Sequence, residues 1–144
     1  AAVNAPQHAE VFAQLVREEA MLLQPFQHSV LNHGEVSLMV IDGKVSHAIR
    51  KTPKANDFRV QDDHGGSVHP HQASAEEMAF AEAAVAAVPF DVMYARVDVI
   101  RDNQQQLAIM ELEMVEPELF FRFHPAAADQ LASGIARRLA HAAR

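Results

Sequence analysis

The chain has 144 residues, with 19 acidic against 12 basic side chains, nine histidines and no cysteine, for a formal net charge of −7. Its length and its 49% hydrophobic content fit one domain with a real core, and the lack of cysteine excludes disulfides, thiolate zinc sites and cysteine nucleophiles. The negative charge argues against nonspecific nucleic-acid binding, and no apolar run reaches the roughly 18 residues of a membrane span and no secretory signal is visible, which points to a cytoplasmic protein with no membrane partner.

Residues 6–20 are predicted as a helix, because Val11, Phe12, Leu15 and Val16 share one face while Glu10, Arg17 and Glu18 fall away from it. The apolar run 21–26, ended by Pro25-Phe26, suits a short buried strand leading into a loop. Asp42-Gly43 then separates two alternating segments, 35–41 and 44–51, and supplies the positive φ angles of a two-residue hairpin turn. With Ile41 opposite Lys44, a regular ladder places Val36, Leu38, Val40, Val45, His47, Ile49 and Lys51 on one inward-facing side.

The stretch from 52 to about 73 contains Pro53, Gly65, Gly66 and Pro70 and has little periodicity, so it reads as a long loop that is either functional or mobile. Ser74-Ala-Glu-Glu77 is a capping box, and the helix behind it repeats Met78, Ala81, Val85 and Val88 before Pro89. Residues 92–100 and 107–115 read as strands joined by the polar turn at 102–105. From Pro125 the residues Ala128, Leu131, Ala132, Ile135 and Leu139 mark a last amphipathic helix. The order predicts an α+β fold, with antiparallel hairpins flanked by helices.

The second strand pair carries the chemistry. Arg96 and Asp98 share one face of the first strand, and Glu111 and Glu113 share one face of the second. A tight turn pairing Asn103 with Gln106 places Asp98 opposite Glu111, on the side of Glu113. Three carboxylates so gathered repel unless a positive charge sits among them. A divalent cation answers this, and all-oxygen ligation suits Mg²⁺ or Mn²⁺. A solvated acidic face with Arg96 as its counter-charge answers it equally.

Several segments in order resemble the ATP-grasp ligases, particularly their prokaryotic glutathione synthetase branch, over about residues 21–139. Leu23-Gln24-Pro25-Phe26 resembles the strand whose backbone meets adenine, residues 34–43 the central hairpin, and Arg50-Lys51-Thr-Pro53 the basic strand end after it. Phe58-Arg59-Val-Gln61 with Gly65-Gly66 resembles the Arg-x-Asn loop and its paired glycines, with Gln61 in place of Asn. Ala95-Arg96-Val-Asp98 and Met110-Glu111-Leu-Glu113 resemble the two metal-ligand strands, with Glu113 where Asn is usual.

The resemblance implies the carboxy-terminal subdomain of an ATP-grasp fold and a ligase reaction. ATP phosphorylates a small-molecule carboxylic acid, and an amine attacks the acylphosphate. It further implies Asp98, Glu111 and Glu113 as ligands to Mg²⁺ (or Mn²⁺), and Arg59 and Lys51 as catalytic groups at the phosphates. Leu23, Gln24, Pro25, Phe26, Lys51, Gln61 and Met110 would contact ATP. The family's phosphate-binding lysine subdomain and substrate domain precede the matched stretch. They are not found here, so the chain, which opens without Met, is expected to be part of a larger ligase.

Plainer readings stand beside these. Lys51 also reads as a lysine snorkelling from a strand end, and Arg59 as a loop arginine paired with Asp57, Asp62 or Asp63. His47 reads as a hydrogen-bonded core residue, and Met39, Met110 and Met114 as core filler. His64, His69 and His71 suggest zinc, although a short loop lacks the geometry that fixes zinc ligands. A non-catalytic nucleotide-binding or assembly module is the alternative function. The apolar surface left without its subdomain would then serve contacts, including self-association.

Overall fold

The alternating segments, the Asp-Gly turn and the capping box all appear in the computed structural model, which describes residues 6–54, 60 and 66–142. The elements are α1 (Pro6–Glu18), α2 (Ser29–His33), β1 (Glu35–Ile41), β2 (Lys44–Thr52), β3 (Ser67–His71), α3 (Ala75–Ala86), β4 (Tyr94–Arg101), β5 (Leu107–Glu113), a 3-10 turn (Phe121–Phe123) and α4 (Ala126–Ala142). The five strands form one antiparallel sheet in the order β3-β2-β1-β4-β5. At the β1–β2 turn Asp42 and Gly43 take φ of 51° and 77°, the left-handed pair that a two-residue hairpin requires.

The hairpin departs from a regular ladder at one place. Ile41 faces Lys44 and Val40 faces Val45, but Met39 faces His47, so Ser46 is the extra residue of a β-bulge. Because side chains alternate with period two, one extra residue moves everything beyond it to the other face. The expected set is therefore corrected: Val36, Leu38 and Val40 stay together and gain Ala48, while His47, Ile49 and Lys51 join Glu35, Ser37 and Met39 on the opposite side.

The first face packs against α3. Val36, Leu38, Val40, Ala48, Ala95, Val97 and Val99 form a core with Ala81 and Val85 of that helix. The capping box is formed: Ser74 Oγ accepts from the Glu77 N–H, and the Glu77 carboxylate accepts from the Ser74 N–H. The second face is apolar at one end, where Met39 and Ile49 lie under Leu119 and Phe120. At its other end it is charged.

Three further expectations are corrected. Residues 21–26 are not a strand but an irregular segment with Leu22, Leu23 and Phe26 exposed, and among the described residues no strand pairs with it. It is tied down through the β4–β5 turn, where Asn103 Nδ2 donates to the Phe26 carbonyl and the Asn103 N–H to Gln27 Oε1. The long loop contains β3, an edge strand whose Pro70 fits a position with no partner on one side. Met114 packs on the core and Met39 is fully buried, but Met110 is exposed rather than core filler.

Candidate functional site

The β4–β5 pair reaches the expected arrangement by an unexpected route. The turn is wider than a tight one: Arg101 faces Leu107, and Asp102 Oδ1 accepts from the backbone N–H groups of Gln104 and Gln106. That pairing alone would put Asp98 and Glu111 out of register. A second bulge, with Met110 as its extra residue, restores it, so Asp98 faces Glu111 and Arg96 faces Glu113.

Two cations and four carboxylates meet on this half-face. Lys51 Nζ lies 2.9 Å from Asp98 Oδ2 and 2.5 Å from Glu35 Oε1. Arg96 donates through Nε to both oxygens of Asp98, at 3.0 and 3.2 Å, and through Nη2 to Glu111 at 3.2 Å and to Glu113. Asp98 has no exposure and Glu35, Lys51 and Arg96 are buried, whereas Glu111 and Glu113 lie toward solvent.

The pKa directions follow from this packing. Burial works to raise the Asp98 carboxyl, but the Lys51 ammonium and then Arg96 outweigh it and hold it below its ordinary value. Burial works to lower Lys51, and Asp98 and Glu35 outweigh it, so the ammonium is held charged beyond its usual range. Glu35 is raised, because burial costs its charge more than Lys51 returns. Glu111 is raised by desolvation and by the neighbouring Glu113.

The charges sum to −2, four carboxylates against two cations, which one divalent ion would balance. Among the described residues no three acidic or histidine side chains converge on a ready-made cage. Arg96 stands between the carboxylates instead. The donor set is nonetheless all oxygen and placed on one face, and Glu111 and Glu113 are open to solvent, so charge and donor type fit Mg²⁺ or Mn²⁺.

The other candidate residues fall as follows. Gln24 and Met110 are brought together, with Gln24 Nε2 donating to Met110 Sδ at 3.7 Å, so the segment holding Leu23, Pro25 and Phe26 lies beside the strand of Glu111. Arg59 and Gln61 lie outside the described residues, as do Asp57, Asp62, Asp63 and His64. His71 is engaged by Glu77 at 3.2 Å and Arg50 at 3.4 Å, while His69 is exposed. His47 is hydrogen-bonded as expected, through Nδ1 to Ser46 Oγ and through Nε2 to the Leu119 carbonyl, both at 2.9 Å. Glu35 was not among the expected site residues. A regular hairpin pairs it with Arg50, and only the bulge brings it to Lys51.

Comparison with known proteins follows this geometry. The RimK-like ATP-grasp domain matches residues 3–119, most of the chain. The chain belongs to the RimK-like ATP-grasp family. This RimK-like domain is 30% identical to the cycloserine biosynthesis protein DcsG of Streptomyces lavendulae over 148 residues, which is 93% of the chain and 47% of that protein. The crystal structure of D-cycloserine synthetase DcsG matches with a TM-score of 0.71 at 30% identity, over 95% of the chain and 48% of that structure. A weaker likeness, with a TM-score of 0.48 at 18% identity over 72% of the chain and 34% of the other, links it to the ATP-grasp ligase PsnB. The RimK-like chain thus spans about half the length of the relatives it matches.

Proposed function

We propose that this chain supplies the metal and phosphate side of an ATP-dependent carboxylate–amine ligase. It is read as the later part of an ATP-grasp unit, with the lysine subdomain and substrate domain in sequence outside it. A carboxylate oxygen of a small-molecule acid takes the terminal phosphoryl group of ATP and ADP leaves. The amine nitrogen then bonds the acyl carbon, the amine loses a proton and inorganic phosphate departs. The observation that carries this reading is the single sheet face on which Asp98 meets Glu111, Arg96 meets Glu113 and Lys51 donates to Asp98, within a chain of the RimK-like family.

Asp98, Glu111 and Glu113 are proposed to hold Mg²⁺ or Mn²⁺, which when bound would neutralise charge on phosphate oxygens. Lys51 has three donors, of which Glu35 and Asp98 take two, leaving one for a phosphate oxygen. Arg59 is assigned to the transferred phosphoryl, where a guanidinium matches its oxygens. Leu23, Gln24, Pro25 and Phe26, with Gln61 and Met110, are assigned to the nucleotide. Catalysis is then positioning and electrostatics, with no protein nucleophile, and ATP as a substrate fits a cytoplasmic location. In the longest natural form of the protein, ADP release should require Mg²⁺ and a carboxylic acid and fall at least about a hundredfold in Glu111→Ala. Unchanged turnover in that variant sinks the metal assignment.

One observation favours a second reading. Leu22, Leu23 and Phe26 form an exposed apolar stretch beside the site, as a non-catalytic nucleotide-binding or assembly module would use. Calorimetry with Mg·ATP separates the two. Tight binding by this chain alone supports the module, and binding only by a longer form supports the half-site.

A further inference from the structure

Arg96 does more than a counter-charge needs to do. Its Nε serves both oxygens of Asp98 and its Nη2 serves Glu111 and Glu113, so one planar guanidinium spans three carboxylates on two strands. Asp98 and Glu111 are direct cross-strand partners, a like-charge pair that repels when nothing positive lies between them. Lys51 does not take this part, because its contacts go to Glu35 and to Asp98 Oδ2, an oxygen it shares with Arg96. With Arg96 the cluster carries −2, the complement of one divalent ion, and without it −3.

We propose that Arg96 is the positioning residue of the metal site. It gathers Asp98, Glu111 and Glu113 on one face before any cation arrives, and its pairing with Glu113 sets the site's demand at two positive charges. This rests on the metal reading given above.

The test uses Mn²⁺, alone and with ADP, titrated into the longest natural form of the protein by calorimetry, together with thermal unfolding in EDTA and in Mn²⁺. The variants are R96M, E113Q and R96M/E113Q. E113Q should bind Mn²⁺ about 10- to 100-fold more weakly, because the site loses a carboxylate and Arg96 turns its charge on the cation. The double variant restores the wild-type net charge but lacks the fork that gathers Asp98 and Glu111, so it should bind no better than E113Q. In EDTA, R96M should melt below wild type, and Mn²⁺ should raise its Tm by more than it raises that of wild type. If R96M does not fold, R96K keeps the charge without the fork. Its metal-free Tm should fall and be recovered by Mn²⁺.

A double variant that recovers wild-type affinity overturns the proposal while leaving the metal reading intact, because net charge alone would then set binding. So does an R96M or R96K Tm that responds to Mn²⁺ only as wild type does. Failure of the metal reading looks different: wild type itself then binds no Mn²⁺, with or without ADP, and Arg96 is a structural counter-ion.

Discussion

The two faces of the sheet are built from the same strands and buried to similar depth, yet they are held by different physics. The face under α3 is apolar over its centre, with Leu38 and Val97 wholly buried among Val36, Val40, Val99 and Val85. Its stability is a matter of volume and area removed from water. The other face gives over the space beyond Met39 and Ile49 to Glu35, Lys51, Asp98 and Arg96. There stability depends on charge balance, and buried ion pairs contribute little net gain over apolar residues of the same size.

Removing Asp98 should produce the largest effect. D98A leaves Lys51 and Arg96 buried without their shared partner and should cost about 3–5 kcal/mol in urea unfolding. On the other face L38A should cost about 3 kcal/mol through lost transfer and a residual cavity. The comparison sharpens if the whole charged set is replaced. E35L/K51M/R96M/D98L should unfold at a stability close to wild type or above it, because apolar residues of similar volume avoid the desolvation cost. A quadruple variant less stable than D98A would show that the ion pairs themselves hold this half-face.

The next effect separates the faces by pH. The Asp98 carboxyl is held below its ordinary 3.8, so its contribution is present above that value and is lost as pH falls through its folded pKa. Glu35 and Glu111 are raised above 4.5, so each contributes most when protonated, below its unfolded value, and that contribution fades as pH rises through the folded one. Urea unfolding should therefore show a steep loss of stability below about pH 3.8 and a shallow opposite trend above pH 4.5. E35Q/E111Q should flatten the upper trend and leave the acid loss in place. An acid limb unchanged in D98N would assign it to other carboxylates.

Much of this was legible in the residues. Asp42-Gly43 announced its hairpin, Ser74 and Glu77 their cap, and the Arg-x-Asp and Glu-x-Glu spacings the carboxylates on one face. What was hidden has a common cause. Alternation cannot reveal a single extra residue, so the bulges at Ser46 and Met110 were invisible, and with the first of them the meeting of Lys51, Glu35 and Asp98. The apolar run 21–26 has the composition of a strand, but a strand needs a partner, and among the described residues none pairs with it. Pro70 hid β3, because a proline in a short segment argues against a strand unless that strand is an edge.

The smallest expected effect tests whether strand register is what separates the faces. Deleting an ordinary strand residue flips everything after it, but Ser46 is the unpaired one. With Ser46 removed, Val45 still faces Val40 and His47 still faces Met39, and the ladder onward to Lys51 opposite Glu35 is unchanged. The deletion removes only the Ser46 Oγ to His47 Nδ1 bond and some local twist. It should cost about 1 kcal/mol in urea unfolding, with the titration of the charged half-face preserved. Deleting Ala48 instead should carry Ile49 and Lys51 to the α3 side and Arg50, which now faces Val36, to the charged side, so that Ile49 is forced into the place of Ala48 opposite Leu38 and the pairing of Lys51 with Glu35 and Asp98 is lost. That variant should be destabilised by about 3 kcal/mol, well beyond the Ser46 deletion. If the two deletions behaved alike, register would not be what assigns the strands' residues to an apolar and a charged face.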